Sequence, residues 1–225
     1  MLALEGATLL ALQGAVSSNL ANPPRANLDP WGSAGQTAES LRVALARLLH
    51  RARALARGAA TDRFEAEVKL YTGKDVERSI RLSADSAVYD AAKAAKAASG
   101  FADNWAGRVR RTLAENTGGS TKTVFHGASR KELWRIKQAS TSEVAEAWSD
   151  QRRLDAKQLA AIPGVQLWKV WDAALDRRTC PICVRADGTA VPAHQDFPQG
   201  VPGAVHANCR CQETLLPIDM IDLGL

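Results

Sequence analysis

All four cysteines of this chain fall between residues 180 and 211, as Cys180-Pro-Ile-Cys183 and, after a loop, His206-Ala-Asn-Cys209-Arg-Cys211. Two soft-ligand pairs on short turns restrict the segment between them to folds that bring the pairs together. In a C-x2-C turn both thiolates can point at one ion. Cys209 and Cys211 are two residues apart, so on an extended strand both side chains leave from one face. Each pair is then a two-toothed clamp, and closing the loop between them makes a tetrahedral site of four sulfurs. His206 is a fifth donor, able to replace one thiolate or to donate a hydrogen bond to a sulfur from behind. Arg210, between two potential thiolates, is expected to offset their charge. Thiolate-rich tetrahedral sites select zinc over hard cations. With four protein ligands such a site keeps no open position for water, so its role would be structural. Two other states fit the same spacing: reduced cysteines in a tight knot, and a disulfide pair.

The rest of the chain reads as a helical body. It is 46% apolar and 24% charged, as in a folded globular protein. No run approaches the ~18 apolar residues of a membrane span. Glu5 stands where a signal peptide would carry Lys or Arg, so the chain is expected to be cytosolic when made. In a reducing compartment, clustered cysteines are more often metal ligands than disulfides. The net charge of +5 is uneven: residues 1–60 carry +3, residues 61–160 carry +4 and residues 161–225 carry −2. The basic excess thus lies in the helical body, which permits contact with a polyanion without requiring it.

Residues 1–20 carry an amphipathic pattern through Leu2, Leu9, Leu12 and Val16, stopped by Pro23-Pro24, with a linker over Asn22–Gly35. Leu41, Leu45, Leu48, Ala52 and Leu55 recur at helical steps until Gly58. Around that stripe stand Arg42, Arg47, Arg51, Arg53 and Arg57. They read either as a solvated helix face or as phosphate contacts to DNA. Phe64, Val68 and Tyr71 suggest a helix before Gly73, and Ala84–Ser99 is an alanine-rich helix. Phe101, Trp105, Val109 and Leu113 form a core stripe stopped by Gly118-Gly119. Two further helices are expected over Ser129–Gln138 and Ser142–Leu159, ended by Pro163-Gly164.

After Gly164 the pattern turns to β-formers at Val165, Leu167, Trp168, Val170 and Trp171, with short strands expected over Thr189–Val191 and Gln212–Leu216. The fold class is α+β: a mainly α-helical body with a small C-terminal β-containing, zinc-stapled module. The expected domains are 1–35, 36–162 and 163–225. A module of about fifty residues has a marginal core of its own, so a metal would carry much of its stability. Trp168 and Trp171 are expected to pack the module against the helices. Asp176, Arg178 and Thr179 would shape the turn before the first cysteine pair.

Trp171, Asp176, Arg178, Thr179, Cys180, Cys183, Gly188, Phe197, His206, Asn208, Cys209, Arg210 and Cys211 together resemble the C-terminal part of the Mu F-like phage head morphogenesis family, the minor head proteins. The strong match covers about 45 residues. Ser142-Glu143-Val144-Ala145-Glu146-Ala147 resembles the family's upstream helix start and extends the match to about 80 residues. Only one proline, Pro202, stands near His206 where the family often has two, and Ser142 replaces a usual Thr. Neither departure removes a donor. The resemblance implies a non-enzymatic virion protein of a tailed bacteriophage, in the head interior or by the portal, assembled in the host cytoplasm. Its partners would be the portal protein, the major capsid protein and packaged double-stranded DNA, with roles in packaging and ejection and no membrane. A zinc-containing DNA-processing enzyme is the alternative, but His50, His126, His194 and His206 are scattered and no acids accompany them in a hydrolytic pattern. A zinc-dependent DNA-binding regulator would need a basic recognition helix beside the cysteines.

Overall fold

The computed structural model describes residues 30–73, 84–116, 133–159, 166–206 and 209–217, with positions 118, 123 and 127. Three long helices come first: α1 (Pro30–Thr72), α2 (Ala84–Glu115) and α3 (Leu133–Leu159). Strand β1 (Leu167–Asp172), the short helix α4 (Pro181–Ala186) and strands β2 (Ala190–Pro192) and β3 (Gln212–Pro217) follow. The fold is α+β, mainly helical with a small C-terminal sheet. The helix expected over 1–20 and its Pro23-Pro24 stop lie outside the described residues, whereas residues 30–35, expected as linker, are already helical.

The helices are longer than the sequence punctuation suggests. α1 runs through Gly58, so the stretches on either side of it form one helix. A mid-helix glycine costs about 1 kcal/mol, and burial of Ala52, Ala56, Ala60, Phe64 and Val68 along one stripe offsets it. That stripe begins with Leu41, Leu45 and Leu49 and passes Leu55 by; Leu55 is 45% exposed. α3 likewise runs unbroken through Ser140 and Ser142. The Ser140 hydroxyl donates to the Ile136 carbonyl at 2.8 Å, which satisfies it without ending the helix.

The contacts divide the chain into two units that are not consecutive in sequence. One comprises residues 1–53 with 85–143, the other 54–84 with 144–225. The expected boundary near 163 is therefore not where the chain divides: residues 54–72 and 144–159 group with the sheet. In the first unit, Leu41, Leu45 and Leu49 of α1 pack with Ala94, Ala98, Ala102, Trp105 and Val109 of α2 and Ile136 of α3. Alanine at every fourth position keeps that α2 face flat, and the Trp105 stripe is core as expected. Arg53 is fully buried there, donating from Nε to Asp90 Oδ1 at 2.9 Å and from Nη1 to Glu143 Oε2 at 2.7 Å.

In the second unit β1 is the central strand, antiparallel to both neighbours in the order β2-β1-β3. Trp168 faces Pro192 on one side and Leu216 on the other. Alternation buries Leu167, Lys169 and Trp171 of β1 and Glu213 and Leu215 of β3. Leu167 and Leu215 pack with Phe64 and Val68 of α1, Ala156 of α3 and Ala193. Lys169 and Glu213 are charged residues on the same buried face, and α3 answers them with Arg152. Arg152 donates to Glu67 Oε2 at 2.6 Å, and its Nε lies 3.6 Å from Glu213 Oε1. Lys169 Nζ is 3.8 Å from Glu213 Oε2.

The loop before the second cysteine pair is fastened to α3. Ser149 donates to the Pro202 carbonyl. Gly203, at φ +83°, sits so tightly that a Cβ there would lie 3.1 Å from Ser149 Oγ and 3.4 Å from both Ala145 Cβ and the Cys211 carbonyl. Left-handed backbone and absent space both require glycine. Gly203→Ala should therefore destabilise this unit by about 2–4 kcal/mol, read as a lowered urea midpoint. An unchanged midpoint would show that the loop has no fixed seat on the helix.

Candidate metal centre

Cys180 closes a turn built by Asp176 and Thr179. Thr179 N–H donates to the Asp176 carbonyl at 2.9 Å, Arg178 N–H to Asp176 Oδ1 at 2.9 Å, and Asp176 N–H to Thr179 Oγ1 at 3.0 Å. Cys180 is then the N-cap of α4, with Pro181 in the first turn, where its missing N–H is no loss. Its Sγ accepts the Cys183 N–H at 3.4 Å, and one turn of helix sends Cys183 inward beside it. The Gly188 N–H donates to the Trp171 carbonyl, and the Trp171 N–H to the Thr189 carbonyl, each at 2.9 Å. These two bonds tie the end of α4 back to β1. Gly188, at φ +74°, makes the return.

The second pair arrives from the other side. Cys209 and Cys211 flank Arg210 just before β3, and Arg210 forms a two-pronged ion pair with Asp176. That pair joins the two cysteine loops and holds the Asp176 carboxyl well below the usual carboxylate range. The same guanidinium is favoured by the charge of Cys209 and Cys211 on either side of it, as expected, although its hydrogen bonds go to Asp176.

All five predicted donors meet. His206 Nε2 lies 3.1 Å from Cys180 Sγ and 3.3 Å from Cys183 Sγ, and Cys183 Sγ lies 3.7 Å from Cys209 Sγ. The donors form two triads that share Cys183: one with Cys180 and His206, the other with Cys209 and Cys211, each within 4.8 Å. A tetrahedral ion with metal–sulfur bonds of about 2.3 Å holds two sulfurs about 3.8 Å apart, and a sulfur and a nitrogen about 3.5 Å apart. These separations are close to those of metal ligands, so the cluster could hold a metal. Cys180, Cys183, His206 and Cys211 border one small recess with Thr179, Arg178 and Arg210.

The electrostatics agree with the geometry. The Cys183 backbone N–H brings the half-exposed Cys180 thiol down to about 7, helped by Ile182 N–H and His206. Burial pushes Cys183 and Cys211 upward. Several buried thiols side by side cannot all ionise without a cation, which a metal would supply if bound. Under the cysteines lie Trp171, Ala173, Ala186 and Phe197. Trp171 meets Phe197 edge-on with centroids 5.4 Å apart. The buried Trp171 indole N–H has no regular hydrogen-bond partner. Its influence falls on the Cys211 sulfur, where it favours the thiolate against the upward push of burial.

Other expectations are met unevenly. Trp171 floors the cysteine site instead of packing on the helices; Leu167 does that. Trp168 is half-buried on the opposite face of β1, and the Arg178 side chain is 82% exposed. Asn208 lies outside the described residues. Of the five arginines offered as DNA contacts, Arg47 and Arg51 are exposed. Arg42 is paired with Glu39 and Asp103. Arg53 and Arg57 are corrections: both are buried, Arg53 between Asp90 and Glu143, Arg57 against Gln151 at 3.3 Å and Asp150 at 4.0 Å. Helical periodicity placed them on the wet side because arginine was counted as polar, although each has an acidic partner on another helix.

The sequence reading missed Glu67, Arg152, Lys169 and Glu213 as a buried set. Strand alternation held the signal, since Lys169 stands between inward Leu167 and Trp171. No protein-family model matches this chain, and no curated protein or solved structure is significantly similar to it.

Proposed function

We propose that this protein is a minor, non-enzymatic head protein of a tailed bacteriophage, with a C-terminal module held together by one structural zinc ion. The observation that carries the reading is that the residues giving the resemblance are those that build one knuckle. Asp176 and Thr179 shape its turn, Arg210 clamps Asp176, and Cys180, Cys183, His206, Cys209 and Cys211 face one another. Zinc follows from the thiolate-rich donor set. In this reading zinc supplies cohesion to a sheet too small to hold itself. The partners would be the portal protein or major capsid protein during head assembly. Packaged DNA would meet the helical body, where Arg47 and Arg51 are the exposed members of the arginine set. Among the described residues, the groups able to hold a metal are both centred on Cys183.

The test is quantitative mass spectrometry of density-purified particles from the phage or prophage that encodes the chain. A few copies per particle are expected, with one zinc per chain in the isolated protein. Particles without the protein would overturn the virion reading, and metal-free protein purified under reducing conditions would overturn the zinc.

A further inference from the structure

Four donors closed around one ion would each lie near the other three, and the five donors here are spaced differently. They fall into two triangles, one of Cys180, Cys183 and His206, the other of Cys183, Cys209 and Cys211, each within 4.8 Å. Among the described residues no four of them share that spacing. Cys183 is the common corner. His206 Nε2 lies 3.3 Å from its sulfur and Cys209 Sγ 3.7 Å, and the Cys180 and Cys211 side chains touch it as well. Building on the zinc reading above, we propose that the site exchanges its one zinc for two monovalent copper ions, one in each triangle, with the Cys183 thiolate as the bridge.

Coordination number, softness and charge all point to that ion. Zinc takes four ligands, so a single zinc must draw a donor of one triangle toward the other. Monovalent copper is stable with three ligands and fills both triangles as they stand. Thiolates are soft donors, and sulfur-rich sites select copper(I) as well as zinc. Two zinc ions are not an equivalent filling, because each would lack a fourth ligand. Water is a poor source of it in the second triangle. Cys183, Cys209 and Cys211 are 2%, 3% and 6% exposed and share an apolar cluster with Trp171 and Phe197. The charges also balance. Four thiolates around one divalent zinc leave two negative charges, and the same four around two monovalent ions leave the same two, with His206 neutral in both. Two copper(I) ions therefore enter and one zinc(II) ion leaves without moving an electron or adding charge to a buried site, where added charge is costly.

The experiment adds excess copper(I), as its acetonitrile complex without oxygen, to the full-length zinc-loaded protein, and measures both metals per chain after desalting. Two coppers bound and one zinc released is the expected result, with a copper–copper path in the copper X-ray absorption spectrum. Saturation at one copper per chain, or two coppers without that path, overturns the bridged pair. Cys211→Ser breaks one triangle and should keep one copper, whereas Cys183→Ser breaks both and should keep none. Equal copper in the two variants would also refute the bridge, and the wild-type measurements decide the matter if either variant folds poorly. Protein that keeps its zinc and takes no copper sinks the exchange and leaves the zinc reading standing. Protein that binds no zinc yet takes two bridged coppers sinks the zinc reading alone.

Discussion

Replacing Cys180 and Cys183 together with serine is expected to abolish metal binding and unfold residues 166–217, leaving the helical unit of residues 34–53 and 85–143 folded. The sheet has three strands, of which β2 has three residues. Its apolar cluster under the cysteines is essentially Trp171, Phe197 and small residues. Structural zinc contributes about 10–16 kcal/mol to small zinc-folded peptides, more than such a sheet can replace. Hydrogen exchange read by mass spectrometry should show loss of protection across β1, β2 and β3. Leu41–Leu49 and Ala94–Val109 should stay protected, because their core is formed among α1, α2 and α3. A chelator should reproduce the pattern in the wild-type protein, and added zinc should reverse it. Protection unchanged by both the substitutions and the chelator would mean that the sheet holds itself.

Arg152→Ala should be the most damaging single change away from the cysteines. It leaves Glu213, at 3% side-chain exposure, without the guanidinium beside it, and Glu67, at 7%, with only the exposed Arg63. Removing one partner of a buried ion pair costs about 3–5 kcal/mol. Lys169 remains near Glu213, but burial holds its own pKa down, so it is a weaker counter-ion than a permanently charged arginine. Burial already raises the Glu213 pKa in the wild-type protein, and losing Arg152 removes a positive charge that holds it down. A carboxyl raised on folding is destabilising as pH rises from its unfolded value through its folded one. The penalty of Arg152→Ala should therefore shrink on acidification from pH 8 to pH 5, measured by urea unfolding at each pH. A pH-independent penalty would show that Arg152 acts by packing over Phe64, 5.5 Å from its guanidinium carbon.

The cysteine site and its sheet were readable because their signals are local. A C-x2-C turn, a C-x-C pair and a run of β-formers each fix geometry within a few residues. Ala190–Pro192 and Gln212–Pro217 fall within a residue or two of the strands read from composition. Helix ends were less readable. Gly58 and the Ser140–Ser142 step look like breaks locally, but tertiary burial on both sides carries the helices through. The partition of charge was least readable, since Arg53, Arg57 and Arg152 are buried by polar partners 37 to 94 positions away or by strands they do not adjoin. No single-helix pattern separates an arginine bound for such a partner from one bound for water. Gly203 was visible only as a loop residue; its seat against Ser149 is a contact between distant segments.

The second cysteine pair and β3 occupy one stretch, Cys209 to Pro217, and that stretch pairs with β1 at six positions. Ligation and strand addition are therefore not separate steps available in either order. Whatever brings Cys209 to the ion lays the strand in register, and whatever peels the strand away opens the site. The module should behave as a single cooperative latch with no stable half-closed form. A cut anywhere in the connecting loop turns its two halves into pieces that must find each other again by diffusion.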